Sequence, residues 1–343
     1  MHRIVCLPGD GIGPEVIDQM KRVVAALGVT VEWIDMPAGE SAVATHGRPL
    51  PQETLDAIRE YKVAIKGPTT TPGGGGFKSV NVTLRQALDL YCGFRPVRSL
   101  PIPGTTQGVD LVIFRQNTEG LYLCEETISG EIGSRKVVLT AHFSEEAMLQ
   151  LAGRAFRFAN ATGRNHVTVV NKENIHKLWG KMYHDAFNAI AADYPGILAD
   201  HMLGDAMGMR LVMTPSSYQV MAIENMFGDF MSDVCAGLIG GLGVAAGANY
   251  GDHFALFEAV HGSAPDIAGK GIANPTAILL SSALMLEHIG KNAEAKRLRD
   301  AIDAIYSKGE FITGDLARRY PGITPVGTEA FTDALIREIH FAS

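Results

Sequence analysis

The sequence of 343 residues is poor in cysteine, has no long apolar run and carries no excess of basic residues, and each absence excludes a class of protein. Its four cysteines are far apart and form no CxxC pair, which argues against a disulfide scaffold and a zinc knuckle. No uncharged apolar run reaches the ~18 residues that cross a membrane. Lys and Arg number 30 against 37 for Asp and Glu, so the net charge of −7 disfavours a general nucleic-acid binder.

The remaining composition is typical of a cytoplasmic enzyme with a large core. Hydrophobic residues make up 46% of the chain, and a length of 343 residues predicts about two domains. The chain enters a strand-like segment at residues 3–7, which leaves no room for a signal or transit peptide. We therefore expect a protein of a reducing, cytoplasmic compartment.

Short apolar segments alternate with helical periodicity along the chain. Residues 4–7 predict a buried strand, and Pro14 opens the helix that follows the next turn. Residues 144–162 and 179–193 predict helices, and Asn274 is expected to cap a long apolar helix. This alternation predicts an α/β protein whose sheet is covered on both faces.

Two glycine-rich segments approach phosphate-binding patterns without matching them. Gly9, Gly11 and Gly13 have the spacing G-x-G-x-G, which differs from the dinucleotide pattern and also fits a tight strand-to-helix turn. In residues 73–79, Phe77 stands where a P-loop requires glycine before Lys-Ser. A kinase or NTPase is therefore disfavoured.

Arginines recur near expected strand and helix ends. Ser79 lies at the start of a predicted helix and is expected to cap it, and Asn81 and Arg85 lie four residues apart on one side of that helix. Arg95 and Arg115 come near strands. Solvated surface arginines are one interpretation. The other is a clamp for a di- or tricarboxylate, because guanidinium groups bind carboxylates through two parallel hydrogen bonds.

Two aspartates in apolar surroundings indicate a cation site. Asp229 and Asp233 are four residues apart on a predicted helix, where their like charges repel unless they are neutralised. Carboxylate oxygens suit Mg²⁺ or Mn²⁺, and Asp205 lies upstream. Two surface aspartates remain the alternative.

The segment 258–275 is a loop of small residues between a predicted strand and a predicted helix. Such loops at strand ends hold ligands in α/β proteins. Taken alone, His261 in this loop fits a structural hydrogen-bonding role as well as a ligand contact.

Several segments together resemble one family over essentially the whole chain. They are PGDGIGPEV at residues 8–16, KGP at 66–68, SVNVTLR at 79–85, RP at 95–96, RQNTEGLY at 115–122, NMFGD at 225–229, SD at 232–233 and HGSAPDIAG at 261–269. This set resembles the isocitrate/isopropylmalate dehydrogenases, the β-decarboxylating dehydrogenases.

The resemblance implies an α/β fold that is not a Rossmann fold, with two α/β domains and a cleft between them. The large cofactor-binding domain is expected at residues 1–96 plus 241–343. The small domain is expected at 97–240, with the dimer interface and an arm near residues 125–138. The resemblance also implies a homodimer with shared active sites.

Site roles follow from the resemblance, residue by residue. The catalytic residues would be Tyr122 as general acid and Lys172 as base, the latter donated with Asp205 by the second subunit. The substrate would be bound by Ser79, Asn81, Arg85, Arg95, Arg115 and Asn174. The cofactor would be bound by Thr70, Thr71, Asn225, Glu258, His261, Gly262, Ser263, Ala264, Asp266, Ile267 and Asn274. The metal ligands would be Asp205, Asp229 and Asp233.

The expected reaction is the oxidative decarboxylation of isocitrate to 2-oxoglutarate and CO₂, with NAD as hydride acceptor and Mg²⁺ or Mn²⁺ as Lewis acid. Asp266 favours NAD, because NADP-using relatives carry Lys-Tyr at residues 266–267. The alternative is the same chemistry on another 3-substituted malate: homoisocitrate, isopropylmalate, tartrate or a specialised analogue. A silent regulatory subunit is disfavoured because the catalytic set is complete.

The sequence departs from the family pattern around the expected base. Residues 171–174 read NKEN, where the family usually has His-Lys followed by Ala or Gly before Asn. Residues 175–179, IHKLW, also differ from the family pattern. The extra carboxylate of Glu173 is therefore expected to alter the environment of the base or the choice of substrate.

Overall fold

The structure is a computed structural model that describes residues 1–71 and 79–341. Its strands are β1 (His2–Leu7), β2 (Val31–Asp35), β3 (Val63–Lys66), β4 (Cys92–Arg98), β5 (Asp110–Gln116), β6 (Glu125–Ser129), β7 (Lys136–Thr140), β8 (His166–Asn171), β9 (Leu198–Leu203), β10 (Val220–Ile223), β11 (Ala246–Tyr250) and β12 (Ala255–Ala259). Its helices are α1 (Gly13–Ala26), α2 (Glu40–His46), α3 (Gln52–Tyr61), α4 (Val80–Ala87), α5 (Glu145–Ala161), α6 (Lys177–Ala191), α7 (Gly204–Met213), α8 (Asn225–Ile239), α9 (Thr276–His288), α10 (Asn292–Lys308), α11 (Gly314–Ala317) and α12 (Thr328–Phe341). The predicted alternation of strands and helices is confirmed.

The chain divides into two compact units. The first comprises Met1–Leu90, Pro96–Val109 and Ala236–Ser343, and the second comprises Tyr91–Arg95 and Asp110–Cys235. Residues 97–109, expected in the small domain, lie in the first unit. Side chains of the C-terminal part hold this segment there: Arg98 pairs with Asp303 at 2.8 Å, and Arg319 Nη1 donates to Gly104 O at 2.8 Å.

The first unit contains the strand order β2-β1-β3-β12-β11. Strands β2, β1, β3 and β12 pair in parallel, and β11 pairs with β12 in antiparallel register. Helix α9 is apolar on every side and nearly all of its residues are buried, which places it in the core of the unit. Thr276 N at its start donates to Asn274 Oδ1 at 2.9 Å, so the predicted contribution of Asn274 to this helix start is confirmed.

The second unit contains the parallel order β5-β10-β8-β9, with each strand in register with its neighbour. Helix α5 begins next to the predicted start, Ser144, whose Oγ accepts a hydrogen bond from Ala147 N at 3.2 Å. A separate antiparallel hairpin, β6-β7, is exposed along its whole length. It coincides with the predicted arm.

The expected cap at Ser79 is wrong, and the glycine-rich stretch that precedes it is only partly described. Ser79 precedes α4 as predicted, but its side chain makes no capping hydrogen bond. Residues 73–78 of the glycine-rich stretch lie outside the described residues. Within the part of the chain that is described, no helix is both long enough and apolar enough to cross a membrane.

Candidate active site

Arg115 is the centre of a buried polar cluster in the second unit. It lies near the end of β5, and its side chain is almost completely buried. Asn225 Oδ1 accepts hydrogen bonds from Arg115 Nε at 3.1 Å and from Nη2 at 2.8 Å. Arg115 Nη1 pairs with Asp229, and the guanidinium lies 4.9 Å from the centre of the Tyr122 ring. The structure therefore brings together a predicted carboxylate binder, a predicted metal ligand and the predicted general acid.

The start of α8 holds this cluster in place. Glu224, just before the helix, accepts hydrogen bonds from Met226 N at 2.9 Å and Phe227 N at 2.6 Å, two amides that the helix itself leaves free. Burial raises the pKa of Glu224. A Cβ at Gly228 would lie 2.6 Å from Arg115 Cγ, so only glycine lets the helix approach the arginine this closely.

The two aspartates of α8 form an acidic pair that a cation would stabilise. Burial raises the pKa of Asp233, and the neighbouring charge of Asp229 raises it further. Their oxygen donors fit Mg²⁺ or Mn²⁺. Among residues 1–71 and 79–341, no three acidic, histidine or cysteine side chains gather as a metal site, so Asp205 does not complete this pair within one chain.

Lys172 and Asp205 form a second cluster in the same unit. Lys172 follows β8, and Asp205 lies in the first turn of α7, which follows β9. Lys172 Nζ donates to Asp205 Oδ1 at 2.6 Å. This hydrogen bond lowers the pKa of the exposed Asp205 carboxyl. The predicted base and the third predicted metal ligand are therefore paired.

The departure at residues 171–174 has a clear structural consequence. Asn171 is buried; its Oδ1 lies 2.8 Å from His201 Nε2, and its Nδ2 donates to Gly180 O at 3.1 Å. Glu173 Oε2 lies 3.3 Å from His184 Nδ1, and its Oε1 lies 3.6 Å from His201 Nδ1. The segment beside Lys172 is therefore tied to both α6 and β9.

Asn174, in contrast, is exposed, and nothing in its surroundings identifies it as a substrate ligand. Arg95, a predicted substrate binder in β4, is buried, and its Nη1 donates to Phe94 O at 3.2 Å. Its charge nevertheless acts on the acidic pair of α8: burial raises the pKa of Asp233, and Arg95 opposes this effect. Arg95 therefore belongs electrostatically with Asp233 and Arg115.

Arg85 and Glu258 form a buried network in the first unit. Arg85 Nη2 lies 3.3 Å from Glu258 Oε1, and Lys66 Nζ lies 3.1 Å from Glu258 Oε2. Asn249 Nδ2 also donates to Glu258 Oε1, at 2.7 Å. Burial lowers the pKa of Lys66, although Glu258 opposes this effect. In the structure, Glu258, which was predicted as a cofactor ligand, is buried and fixes Arg85.

Ser79 and Asn81, the predicted substrate residues at the start of α4, are half-buried. Asn81 Oδ1 accepts a hydrogen bond from Thr69 Oγ1 at 3.4 Å, and Ser79 immediately precedes the helix. Thr70 Oγ1 lies 2.8 Å from Ser263 Oγ, which joins the two loops expected at the cofactor. Thr71 is exposed.

The glycine-rich turn after β1 is a tight packing turn. Gly9 has φ of +76°, and a Cβ there would lie 2.1 Å from Pro68 O; at Gly11 it would lie 2.0 Å from Ser263 O. The structure therefore supports the turn interpretation of the G-x-G-x-G spacing. Its glycines let β1 approach the loops that carry Thr70 and Ser263.

A pocket of about 560 Å³ is lined by most of the predicted cofactor loop. The predicted residues that line it are His261, Gly262, Ala264, Ile267 and Asn274. His261 Nε2 is buried and has no hydrogen-bond partner among the described residues, and burial lowers the pKa of this ring. A mostly apolar pocket with an unpaired ring nitrogen fits a bound heterocycle.

Two predicted cofactor residues do not line this pocket. Asp266 is exposed. Asn225, also predicted for the cofactor, belongs to the second unit.

Three further residues support these sites and were not predicted as site residues. Buried Asp10 accepts hydrogen bonds from the backbone amides of Glu40, Ser41 and Thr70, at 2.8 to 2.9 Å. Lys66 pairs with Glu258, and Asp315 Oδ2 accepts from Asn274 Nδ2 at 3.0 Å. Asp10 had a sequence signal, since it is an acidic residue between two glycines in a turn.

Comparison with known proteins gives a consistent result over the whole chain. The family model described as isocitrate/isopropylmalate dehydrogenase matches residues 3–335. An isocitrate/homoisocitrate dehydrogenase of Thermus thermophilus is 39% identical over 340 residues, which cover 98% of each chain. A 3-isopropylmalate dehydrogenase of Methanothermobacter thermautotrophicus is 39% identical over 315 residues, which cover 92% of this chain and 93% of the relative.

A solved structure agrees with the sequence matches. The crystal structure of isocitrate dehydrogenase from Methylococcus capsulatus is 44% identical, with a TM-score of 0.94 and 99% of both chains covered. The predicted fold class is thereby confirmed. The relatives are named for different substrates, so similarity alone identifies the reaction class and leaves the substrate to the side chains of the site.

Proposed function

The chain belongs to the isocitrate/isopropylmalate dehydrogenase family, and from this premise we propose that it is an NAD-dependent isocitrate dehydrogenase. The reaction is the oxidative decarboxylation of isocitrate to 2-oxoglutarate and CO₂, and it requires Mg²⁺ or Mn²⁺. Homoisocitrate is the nearest alternative substrate, since it carries the same third carboxylate one carbon further out.

The observation that carries the proposal is the buried Arg115 cluster. Arg115 is fixed by Asn225 and Asp229, so a substrate carboxylate meets a guanidinium whose orientation is already set. Tyr122 lies against the same guanidinium. This cluster combines a carboxylate binder, a cation ligand and a proton donor. Such a combination suits a substrate in which one carbon loses CO₂ and is then protonated.

The choice of isocitrate rests on the residues at α4. The substrates of this family share a malate part and differ in the third substituent. Ser79 and Asn81 offer a hydroxyl and an amide there, together with amides at the helix start. Covering these polar groups with an isopropyl group would cost about 1–3 kcal/mol for each unpaired group. A carboxylate arm is the better fit.

The chain's own residues perform the proton chemistry. Lys172 accepts the proton of the substrate hydroxyl, and Tyr122 donates a proton to the carbon that has lost CO₂. The bound cation supplies a Lewis acid for substrate oxygens and NAD⁺ supplies the hydride acceptor. Asp229 and Asp233 would hold the cation, and the pocket at His261 and Asn274 would hold the adenosine part of the cofactor.

The proposed enzyme is a homodimer in which Lys172 and Asp205 act in the neighbour's site. Such sharing accounts for the lack of a third metal ligand beside Asp229 and Asp233 within the described part of one chain. Large apolar side chains are exposed on the second unit, among them Ile128 of the arm at 66% and Leu178 of α6 at 90%. Exposed apolar groups of this kind are typical of a surface that another subunit covers.

The function is tested by NADH formation with a panel of 3-substituted malates. We expect NADH from isocitrate with NAD⁺ and Mn²⁺, equimolar CO₂, and loss of both when a chelator removes the metal. A hydroxy acid without a carboxylate at C3 serves as the control, because it can be oxidised but not decarboxylated in this way. Absence of NADH from every member of the panel would contradict the proposal.

A further inference from the structure

Trp179 lies at the centre of an aromatic stack in the second unit. Its ring is parallel to that of Phe143, with centroids 4.8 Å apart and an interplanar angle of 4°. His176 stacks near the same indole at 5.7 Å, and Tyr183 contacts it edge-on at 5.3 Å. The stack therefore joins the first half of α6 to the segment that precedes α5.

One end of the stack reaches the segment that carries Tyr122. Gly120 N donates to His142 O at 3.0 Å, next to Phe143 in the chain. A Cβ at Gly120 would lie 3.3 Å from Phe143 Cε1, so the phenyl ring packs directly on this glycine. In the same segment, Glu119 pairs with the Tyr183 hydroxyl. The position of Tyr122, two residues after Gly120, therefore depends on this stack.

The other end of the stack reaches the segment that carries Lys172. Lys172 O accepts a hydrogen bond from His176 N at 2.9 Å, and His176 O accepts one from Gly180 N at 2.9 Å. Trp179 lies between these anchor points in the first turn of α6. A Cβ at Gly180 would lie 2.4 Å from Glu173 Cα, so α6 also packs directly on the residue beside Lys172.

We propose that Trp179 is a positioning residue that holds the Tyr122 segment and the Lys172 segment in one arrangement. The proposal rests on the proposed function, which makes these two residues the acid and the base. In a dimer with shared sites, Tyr122 acts in its own subunit's site and Lys172 in the neighbour's. Trp179 therefore links the two active sites through each subunit.

The first test compares Trp179→Leu with Trp179→Phe, which retains a ring that can stack on Phe143. Phe156→Leu is the matched control, because Phe156 stacks on Tyr194 at 5.4 Å in the same unit, outside both segments. Two rates are measured: NADH formation from the malate that the wild type uses, and exchange of the C3 hydrogens of 2-oxoglutarate in D₂O, which reports the Tyr122 step.

For Trp179→Leu we expect at least a roughly tenfold loss in both rates and less than a threefold change in KM, because Asn225 and Asp229 still hold Arg115. Trp179→Phe is expected to recover both rates to within about threefold. Phe156→Leu should lower the melting temperature and leave both rates near wild type. Unchanged rates in Trp179→Leu, loss of one rate alone, or an equal loss in Phe156→Leu would overturn the proposal. A wild type that uses no member of the malate panel would instead overturn the proposed function.

The second test places Trp179→Leu in one subunit at a time. In a heterodimer of Lys172→Ala and Asp229→Asn subunits, the working site takes Tyr122 from the first subunit and Lys172 from the second. Trp179→Leu should lower activity when it is added to either subunit, because it displaces Tyr122 in one case and Lys172 in the other. Loss in only one placement, or in neither, would show that Trp179 does not serve both segments.

Discussion

Lys172 and Asp205 meet across the ends of two neighbouring parallel strands. Asn171, the last residue of β8, is in register with Leu203, the last residue of β9. The residues that follow these strand ends therefore leave the sheet side by side, and Lys172 Nζ reaches Asp205 Oδ1 at 2.6 Å. Carboxyl ends of parallel strands are the usual place of ligand sites in α/β proteins. Lys172 and Asp205 therefore lie at one edge of the sheet as a hydrogen-bonded pair.

A heterodimer tests whether this pair serves the neighbouring subunit. Lys172→Ala and Asp229→Asn homodimers should each be inactive. Mixed dimers should regain up to about half of wild-type activity per dimer, because one of the two sites then receives only intact residues. The measurement is NADH formation by purified, differentially tagged heterodimers. Inactive heterodimers of verified composition would show that sites are not shared in this way.

The metal assignment is tested by Asp229→Asn. The substitution keeps the shape of the side chain and removes the charge that would bind Mg²⁺ or Mn²⁺, so we expect a loss of turnover of at least about 100-fold. Asp185→Asn is a matched control, since Asp185 also pairs with a cation on a helix, Lys181, at an exposed position. Turnover near wild type by Asp229→Asn in chelator-treated buffer would contradict the metal role.

The ion pair of His166 and Asp200, 3.0 Å apart at the start of β8 and β9, makes stability depend on pH. The hydrogen bond that His166 donates to Asp200 raises the pKa of His166 above 6.5. Burial acts against ionisation of Asp200, but the hydrogen bonds that it accepts from His166 and Thr168 lower its pKa overall. The histidine contribution is complete below the unfolded pKa of 6.5 and is lost as pH rises through the higher folded value. The aspartate contribution is lost only as pH falls below 3.8.

We therefore expect His166→Gln to lose stability relative to wild type at about pH 5.5 and to lose progressively less above about pH 7. Urea unfolding of both proteins at a series of pH values measures this difference. A difference that stays constant from about pH 5.5 to 8.5 would mean that the charge of His166 contributes nothing. Turnover should change little, because this pair is at the opposite end of the strands from Lys172.

Local features of the site were predictable from the sequence, whereas several partners were not. The four-residue spacing of Asp229 and Asp233 indicated their common helix, and the apolar surroundings indicated partial burial. The pairing of Arg115 with Asp229 joins residues 114 positions apart, and no local pattern encodes it. Ser79 was correctly placed before a helix, but the direction of its hydroxyl depends on tertiary packing.

Glu258 and Glu173 show the same limit for charged residues. The family resemblance implies that Glu258 is a cofactor ligand, yet its burial against Lys66 and Arg85 arises only when β3 and β12 pair. The sequence singled out Glu173 as unusual, but its partners His184 and His201 lie on other elements. Which charged residues meet depends on how the helices and strands are oriented in the fold. The periodicity of the sequence does not encode that orientation.

We propose that Asp266, which is exposed, sets the choice of cofactor by accepting hydrogen bonds from ribose hydroxyls. Its charge would repel the additional phosphate of NADP⁺. We expect NAD⁺ to be preferred by at least tenfold in kcat/KM, about 1.4 kcal/mol. Asp266→Lys combined with Ile267→Tyr should shift the preference towards NADP⁺. Equal use of both cofactors by the wild type would contradict the role of Asp266.

Substrate choice is tested at the start of α4 by Ser79→Leu. An apolar side chain there removes a hydroxyl from the expected carboxylate site, so we expect kcat/KM for isocitrate to fall at least about tenfold. Turnover of tartrate, which lacks the long arm, should change little and serves as the control. If Ser79→Leu leaves isocitrate turnover unchanged, the arm does not lie against this residue.

The most direct test of the central claim is the ratio of kcat/KM for isocitrate to kcat/KM for isopropylmalate, measured on the wild-type protein with NAD⁺ and Mn²⁺. The polar side chains of Ser79 and Asn81 favour a carboxylate arm over a branched alkyl arm. We predict a ratio of at least 100, about 2.7 kcal/mol of transition-state discrimination. A ratio below one, with isopropylmalate the better substrate, would contradict the assignment as an isocitrate dehydrogenase.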